Sequence, residues 1–233
     1  MRRLNGVEEL LDGELDAQTL EGNLRDLARV NKLLDGAGLS WRALRPYVRA
    51  DATLRVLDVG TGGADIPRAL VDAAAHSNTA LEVVATDVRP EIVACAWQTA
   101  ADEPSFEVRL AAADRIDEPA GAFDVVHASL VLHHLDPVAA VALLREMARV
   151  SARAVIINDL DRGRHWLLVA RILTRLTTRN EYTRNDAPLS VQRAYRPNEV
   201  VRLAARAGLV RERRLWAWPR YRYALVFRKG DRG

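Results

Sequence analysis

The sequence is poor in the residues that mark secreted, membrane-spanning and zinc-binding proteins. Its 233 residues include one cysteine, Cys95, so no internal disulfide can form and a reducing cytoplasm is the expected location. No run approaches about eighteen uninterrupted apolar residues, and the opening MRRLNGVEELLDGELDAQ lacks the apolar region of a secretory signal. Only His133 and His134 are adjacent among five histidines, and without a second cysteine we expect no metal site.

Lysine is also nearly absent. Lys32 and Lys229 stand among 34 basic residues, and the others are arginine. The net charge is +3 and the isoelectric point is about 9.3. A skew toward arginine is typical of coding bias, and the arginines are spread along the chain. The high isoelectric point therefore does not by itself indicate a nucleic-acid partner, and we expect none.

Short apolar runs alternate with helical stretches through most of the chain. Strands are predicted over 54–60, 81–87, 106–114, 123–132 and 154–159, with two more in 211–229 joined by a turn near Pro219 and Arg220. Helices are predicted over 7–35, 41–48, 64–76, 90–102, 137–150 and 196–208, and 161–195 reads as a helix and a polar loop. The alternation predicts an α/β fold: a Rossmann-like, mostly parallel seven-stranded sheet with helices on both faces and a C-terminal antiparallel hairpin.

Two segments fall outside this alternation. We expect residues 1–50 to form a helical extension or lid on a main domain of residues 51–233, and 160–195 to be an inserted cap segment. In such sheets, ligands bind beyond the carboxyl ends of the strands, near the point where the strand order reverses. The extension and the insertion are therefore the expected sources of substrate selectivity.

The stretch VLDVGTGGADIP, residues 56–67, predicts a strand that runs into a glycine-rich turn. Gly60 and Gly62 match the first two glycines of the dinucleotide fingerprint, but Asp65 stands where the third belongs. A carboxylate at this helix N terminus is unfavourable for a pyrophosphate, and Asp58 is a second acid beside the turn. S-adenosylmethionine (SAM) carries an ammonium and a sulfonium and no phosphate, so the turn favours SAM over NAD or FAD.

Further acids follow the next two predicted strands. Asp87 ends VVATD and is placed to accept hydrogen bonds from both ribose hydroxyls, a role that would serve NAD equally well. Asp114 ends AAAD, where a carboxylate can accept from an adenine amino group. Each acid alone could be a helix cap or a loop residue. Three acids at successive strand ends favour a cofactor site.

These residues resemble the class I SAM-dependent methyltransferases, of the broad group that includes ubiquinone- and menaquinone-biosynthesis enzymes. The resemblance covers roughly residues 52–160 and is carried by VLDVGTGGADIP, VVATD, AAAD, FDVVHASLVLHHLDP and LLREMARVSARAVIINDL. It implies SAM as cofactor and S-adenosylhomocysteine as product. The implied cofactor contacts are Asp58, Gly60, Thr61 and Gly62 for the amino-acid end, Asp87 with Val88 for ribose, Asp114 with Arg115 for adenine, and Ser129 to His133 on the sulfonium side.

Methyl transfer to a hydroxyl benefits from a general base, typically by about 10²–10⁴-fold. The candidate bases are His133 and His134, next to the place where the methyl group would point, and His165 in the inserted segment. The alternative is that one of the adjacent histidines packs and the other shapes the cofactor loop. A non-catalytic protein that kept the fold is a further alternative, although it would not need all three acids.

The inserted segment offers candidates for acceptor binding, namely Trp166, Tyr182, Arg184 and Tyr195. Its helix WLLVARILTRL places apolar residues near one side and arginines on another, which is typical of either a cap helix or a helix that touches a membrane. The segment also resembles one in polyketide-associated methyltransferases of secondary metabolism. That implies O-methylation of a phenolic, polyketide-derived or quinone-like acceptor by a monomer or homodimer. C-methylation and an RNA or protein acceptor stay open as alternatives.

Overall fold

A seven-stranded sheet forms the centre of the computed structural model, which describes residues 1–7, 9–13, 16–112 and 115–230. The sheet has the order β3-β2-β1-β4-β5-β7-β6. The strands are β1 (Leu54–Val59), β2 (Leu81–Asp87), β3 (Phe106–Leu110), β4 (Phe123–Ser129), β5 (Ser151–Leu160), β6 (Leu209–Trp216) and β7 (Arg222–Lys229). The first five strands are parallel, and β7 lies antiparallel between β5 and β6. This arrangement confirms the predicted fold class and the C-terminal antiparallel pair.

Helices cover both faces of the sheet. They are α1 (Ala17–Leu33), α2 (Gly36–Leu44), α3 (Asp65–His76), α4 (Pro90–Ala100), α5 (Pro137–Val150), α6 (Arg164–Thr177), α7 (Glu181–Arg193) and α8 (Pro197–Arg206). Buried side chains of α2, α3 and α4 pack on one face of the sheet, and those of α5 and α8 pack on the other. The strand order reverses between β1 and β4, so the cofactor crevice is expected at their carboxyl ends.

Three sequence predictions about helices differ from the structure. The single helix expected over 7–35 is a short 3-10 turn at Leu10–Asp12 followed by α1, because the Asp16 side chain accepts from the backbone N–H of Thr19 and caps α1 there. The polar loop expected after α6 is α7, which Asn180 caps through the N–H of Thr183. Its polar side chains are buried and hydrogen bonded, so no apolar periodicity marks it. The helix expected at 41–48 begins earlier, at Gly36.

The N-terminal segment lies across α7 and the loop after β4. The backbone N–H groups of Leu10 and Leu11 donate to the Asp186 carboxylate, at 2.9 and 3.0 Å. Arg3 Nη2 donates to the carbonyl of Leu135, at 2.8 Å. Within the described part of the chain, we find no helix with the length and apolar character needed to cross a bilayer.

Candidate active site

The glycine turn after β1 is held against the end of β2. The backbone N–H groups of Gly60 and Thr61 both donate to the Thr86 carbonyl, at 2.8 and 2.9 Å. Gly60 has φ +69°, and a Cβ built on it would lie 2.6 Å from Cγ2 of Val131. Only glycine fits both conditions. Thr61 Oγ1 is buried and has no hydrogen-bond partner among the described residues, so a polar atom at the turn is left for a ligand.

Asp87 lies directly beside this turn. Its Oδ2 accepts from the N–H of Gly62 at 3.1 Å, and its Oδ1 accepts from the N–H of Arg89 at 3.1 Å. Burial raises the pKa of Asp87, and these backbone donors act in the opposite direction. The carboxylate thus sits at the end of β2, where the sequence predicted a ribose contact. Val88, next to it, is exposed.

Asp58 lies beneath the turn and is almost fully buried. The register of β1 and β4 places it opposite His127, whose Nδ1 lies 2.6 Å from Asp58 Oδ1. Nε2 of the same ring lies 2.8 Å from Ser40 Oγ on α2. The pairing directs the Asp58 carboxylate to His127, so its predicted contact with the amino-acid end of SAM stays a prediction.

A buried arginine continues this polar network. Arg222 on β7 donates through Nε to Asn158 Oδ1 at 2.6 Å and through Nη1 to Asn31 Oδ1 at 2.7 Å. Its Nη2 donates to Ser129 Oγ at 2.5 Å, so the predicted sulfonium-side residue Ser129 is held by a cation. Asn31 in turn donates to Asp65 Oδ2 at 2.9 Å. Sequence reasoning missed this arginine, because nothing local to β7 marks it.

The adenine side is described only in part. Asp114 lies outside the described residues, and Arg115 is exposed. Their predicted contacts with adenine stay predictions.

His133 forms a buried pair with Asp159 at the carboxyl ends of β4 and β5. Nδ1 of His133 lies 2.7 Å from Asp159 Oδ1, and the His133 backbone N–H donates to Oδ2 at 3.2 Å. Burial acts to raise the pKa of Asp159, but the charge and hydrogen bond of His133 and the N–H of Leu160 outweigh it and lower that pKa. The ring of His134 lies 4.3 Å from that of His133, so the structure brings two of the three predicted bases together.

Glu9 of the N-terminal segment faces both histidines. Its carboxylate oxygens lie 3.9 Å from His133 Nε2 and 3.8 Å from His134 Nε2. Ser190 Oγ donates to Glu9 at 3.0 Å, and Arg193 Nη1 lies 3.5 Å away. Burial raises the pKa of Glu9 to about 7. No sequence signal pointed to Glu9, because it is separated from its partners by most of the chain.

Glu9, His133 and His134 present ligand atoms within 4.8 Å of one another, a set that could hold a metal ion. Arg193 already supplies a positive charge to this carboxylate. The expected lack of a metal stays a prediction.

The other predicted residues make anchoring contacts. His165 is exposed, and its ring lies 4.4 Å from that of Trp166, which in turn contacts Tyr221. The Tyr182 hydroxyl accepts from the N–H of Asp16 at 3.1 Å, and the Tyr195 hydroxyl donates to the Leu135 carbonyl at 2.9 Å. Arg184 donates to the carbonyls of Thr178 and Arg175 at the end of α6. Roles in acceptor binding stay predictions for these residues.

Comparison with known proteins agrees with this geometry. Residues 56–153 match the family model described as a methyltransferase domain. A SAM-dependent methyltransferase from Aquifex aeolicus has a similar structure, with a TM-score of 0.64 at 19% identity over 92% of this chain and 98% of that one. Mitomycin 7-O-methyltransferase gives 0.72 at 20% identity, covering 97% of this chain and 62% of that one. Magnesium protoporphyrin IX methyltransferase from Synechocystis, with bound S-adenosylhomocysteine, gives 0.59 at 16% identity, covering 94% and 90%. A search of curated protein sequences finds no significant match.

Residues 56–153 therefore form a methyltransferase domain, and the whole sheet has the class I methyltransferase fold. The domain match and the shared fold support a SAM-dependent methyltransferase with SAM as cofactor, as the glycine turn and Asp87 predicted.

Proposed function

We propose that the protein methylates an oxygen of a small phenolic, polyketide-derived or quinone-like acceptor, with His133 as general base. The observation that carries the proposal is the buried His133–Asp159 pair, which lies at the carboxyl ends of β4 and β5 near the glycine turn. Two proteins of similar structure are named for small-molecule methylation, one of them at oxygen. We also propose that the enzyme acts in the cytoplasm, in secondary metabolism.

The residues at the turn fit the cofactor. Gly60 and Gly62 would let backbone approach it closely, Thr61 Oγ1 would supply a hydrogen bond, and Asp87 would accept from ribose. Asp58 would act from beneath the turn by its negative charge. When bound, SAM supplies a methyl group that its sulfonium already activates.

The base is oriented by a buried acid. Asp159 holds the Nδ1–H of His133, which leaves Nε2 to accept the proton of the acceptor hydroxyl. The imidazolium that forms would be stabilised by the Asp159 carboxylate at Nδ1. In this proposal His134 shapes the pocket beside His133.

Access to this base runs through the N-terminal segment. Glu9 faces Nε2 of His133, so residues of the predicted lid, 1–50, would have to move for an acceptor to reach it. Residues 160–195 would then cap the acceptor, with Trp166, Tyr182, Arg184 and Tyr195 as the lining that we propose.

The test compares three histidine variants in a SAM-dependent assay that follows release of S-adenosylhomocysteine. With phenolic and quinone acceptors, His133→Gln should lower kcat by about 10²–10⁴-fold. His134→Gln and the exposed His165→Gln serve as matched substitutions, and each should cost far less. Calorimetric titration with SAM should give the same affinity for all three variants and no binding of NADH.

Product analysis distinguishes the alternatives. A methyl ether supports the proposal, whereas a methyl group on a ring carbon, or turnover only with RNA or protein acceptors, would replace it. Unchanged kcat in the His133 variant would exclude this histidine as the base.

A further inference from the structure

Helix α6 exposes four large apolar side chains to solvent. Leu168, Val169, Ile172 and Leu176 are 58%, 48%, 51% and 80% exposed, and they fall along one stripe of the helix. Only Thr174 of α6 is buried. Soluble helices normally turn their apolar stripe toward the core, so this stripe has an unusual orientation. We refer to these four residues as the α6 stripe.

A row of arginines runs beside the α6 stripe. Arg164, Arg171 and Arg175 are all exposed and share an adjacent side of the helix, and residues 164–180 contain no aspartate or glutamate. Arg171 and Arg175, with Arg184 of α7, also line a groove of about 510 Å³. Val7 and Leu10 of the N-terminal segment and Leu189 supply apolar walls to it. The groove thus combines three guanidinium groups with an apolar lining.

An exposed tryptophan lies in a turn that contacts the start of α6. Trp218, in the turn between β6 and β7, is 89% exposed. Tyr221 of the same turn contacts Trp166 of α6, with ring centroids 6.1 Å apart. Exposed tryptophan is typical of the interface between a bilayer and water.

We propose that α6 binds the surface of an anionic lipid bilayer, with the α6 stripe inserted among the acyl chains and the arginine row on the headgroups. Exposed apolar residues flanked by arginines define a helix that lies in the membrane interface. At 14 residues, α6 is too short to span a bilayer. In this proposal the groove between α6, α7 and the N-terminal segment holds one headgroup through Arg171 and Arg175.

Charge favours a bilayer over the two other occupants. A second copy of the chain docked through the same face would bring two arginine rows together without acids between them, which is repulsive. A nucleic acid would complement the arginines but would leave the aliphatic stripe in water. The inference goes beyond the proposed function and does not depend on which atom is methylated.

The test uses the whole protein and flotation with vesicles of phosphatidylcholine, with and without phosphatidylglycerol. The protein should float with the anionic vesicles, and added salt should weaken binding. Arg171→Gln with Arg175→Gln should lower affinity by about 25-fold, since each arginine near a membrane is worth about a factor of five. Ile172→Ser with Leu176→Ser should lower it by about tenfold or more.

Matched controls come from other helices. Arg202→Gln with Arg206→Gln on α8 has the same spacing as the arginine pair, and Val138→Ser on α5 removes an apolar side chain that is 74% exposed. Both should bind as the unsubstituted protein does. Equal losses in control and α6 variants would overturn the inference. An absence of flotation would also overturn the inference, whether or not the protein forms a concentration-dependent dimer that the Ile172 and Leu176 substitutions abolish. Thermal melting by circular dichroism checks that every variant is folded.

Discussion

The substitution Glu9→Gln isolates the cost of burying one carboxylate between two histidines and an arginine. Glu9 is 4% exposed, and its neighbours are Ser190, Arg193, His133 and His134, with Asp186 adding a repulsive charge. Burial is the largest cause of its raised pKa, so the carboxyl favours its protonated form in the folded protein. Glutamine matches that form in shape and cannot ionise.

The sign and size of the effect follow from proton linkage. The pKa of Glu9 rises from 4.5 in the free side chain to about 7 in the folded protein. Between these values the folded state holds a proton that the unfolded chain has lost, so rising pH removes stability. The gap corresponds to about 3 kcal/mol, lost in full above the folded pKa. As the pH rises from about 4.5 to about 8, the free energy of unfolding of the Glu9→Gln variant should therefore increase by about 3 kcal/mol relative to that of the unsubstituted protein.

Urea unfolding of both proteins across this pH range measures the difference directly. Other titrating groups occur in both chains and largely cancel. Glu82→Gln is the matched control, because this glutamate is exposed on β2 and pairs with Arg55 only at 3.8 Å. The reasoning is refuted if the difference in free energy of unfolding between the Glu9 variant and the unsubstituted protein does not change with pH. The control is expected to show no such change.

Three further substitutions test the cofactor site and its support. Gly60→Ala should abolish measurable SAM binding in calorimetry, because its Cβ would lie 2.6 Å from Val131 at a φ of +69°; full affinity would contradict this geometry of the turn. Asp87→Ala should weaken SAM binding by about 10–100-fold through lost hydrogen bonds, and equal affinity would mean that ribose lies elsewhere. Arg222→Met should lower the free energy of unfolding by about 3–5 kcal/mol, because it removes a buried cation and leaves its hydrogen-bond acceptors on Asn158, Asn31 and Ser129 without a donor. Urea unfolding checks this, and a loss under about 1 kcal/mol would show that the network does not need the charge.

Much of the fold and part of the candidate site could be predicted from local sequence patterns. The glycine turn and Asp87 were predictable, because strand ends, glycines and acids occur close together in sequence and parallel strands bring their carboxyl ends to one edge. The position of His133 just after β4 was predictable for the same reason, and its role as a base stays a prediction. Its partner Asp159 ends the neighbouring strand, so the pair could have been anticipated from strand order alone.

Other parts of the site depend on contacts that no local pattern encodes. Glu9 and Arg222 reach the site from the two ends of the chain, and each is buried only because the tertiary fold brings its partners to it. Helix α7 was not predicted because its buried face is polar. Asp186 accepts a hydrogen bond from the N-terminal segment, and Arg193 donates one to the His133 carbonyl. Hydrophobic periodicity has no means of marking such a helix.

The network beneath the turn also bears on whether the first fifty residues can be treated as a detachable module. Ser40 of α2 bridges His127 and Asn158, and Asn31 of α1 bridges Arg222 and Asp65. Both helices thereby complete hydrogen bonds inside the sheet rather than rest on its surface. A chain beginning at residue 51 would expose the His127 imidazole and the Arg222 guanidinium, which are buried in the intact fold. The extension and the sheet should therefore unfold in a single cooperative transition. A chimera that takes the extension from a related enzyme should need the matching partners of Ser40 and Asn31 as well.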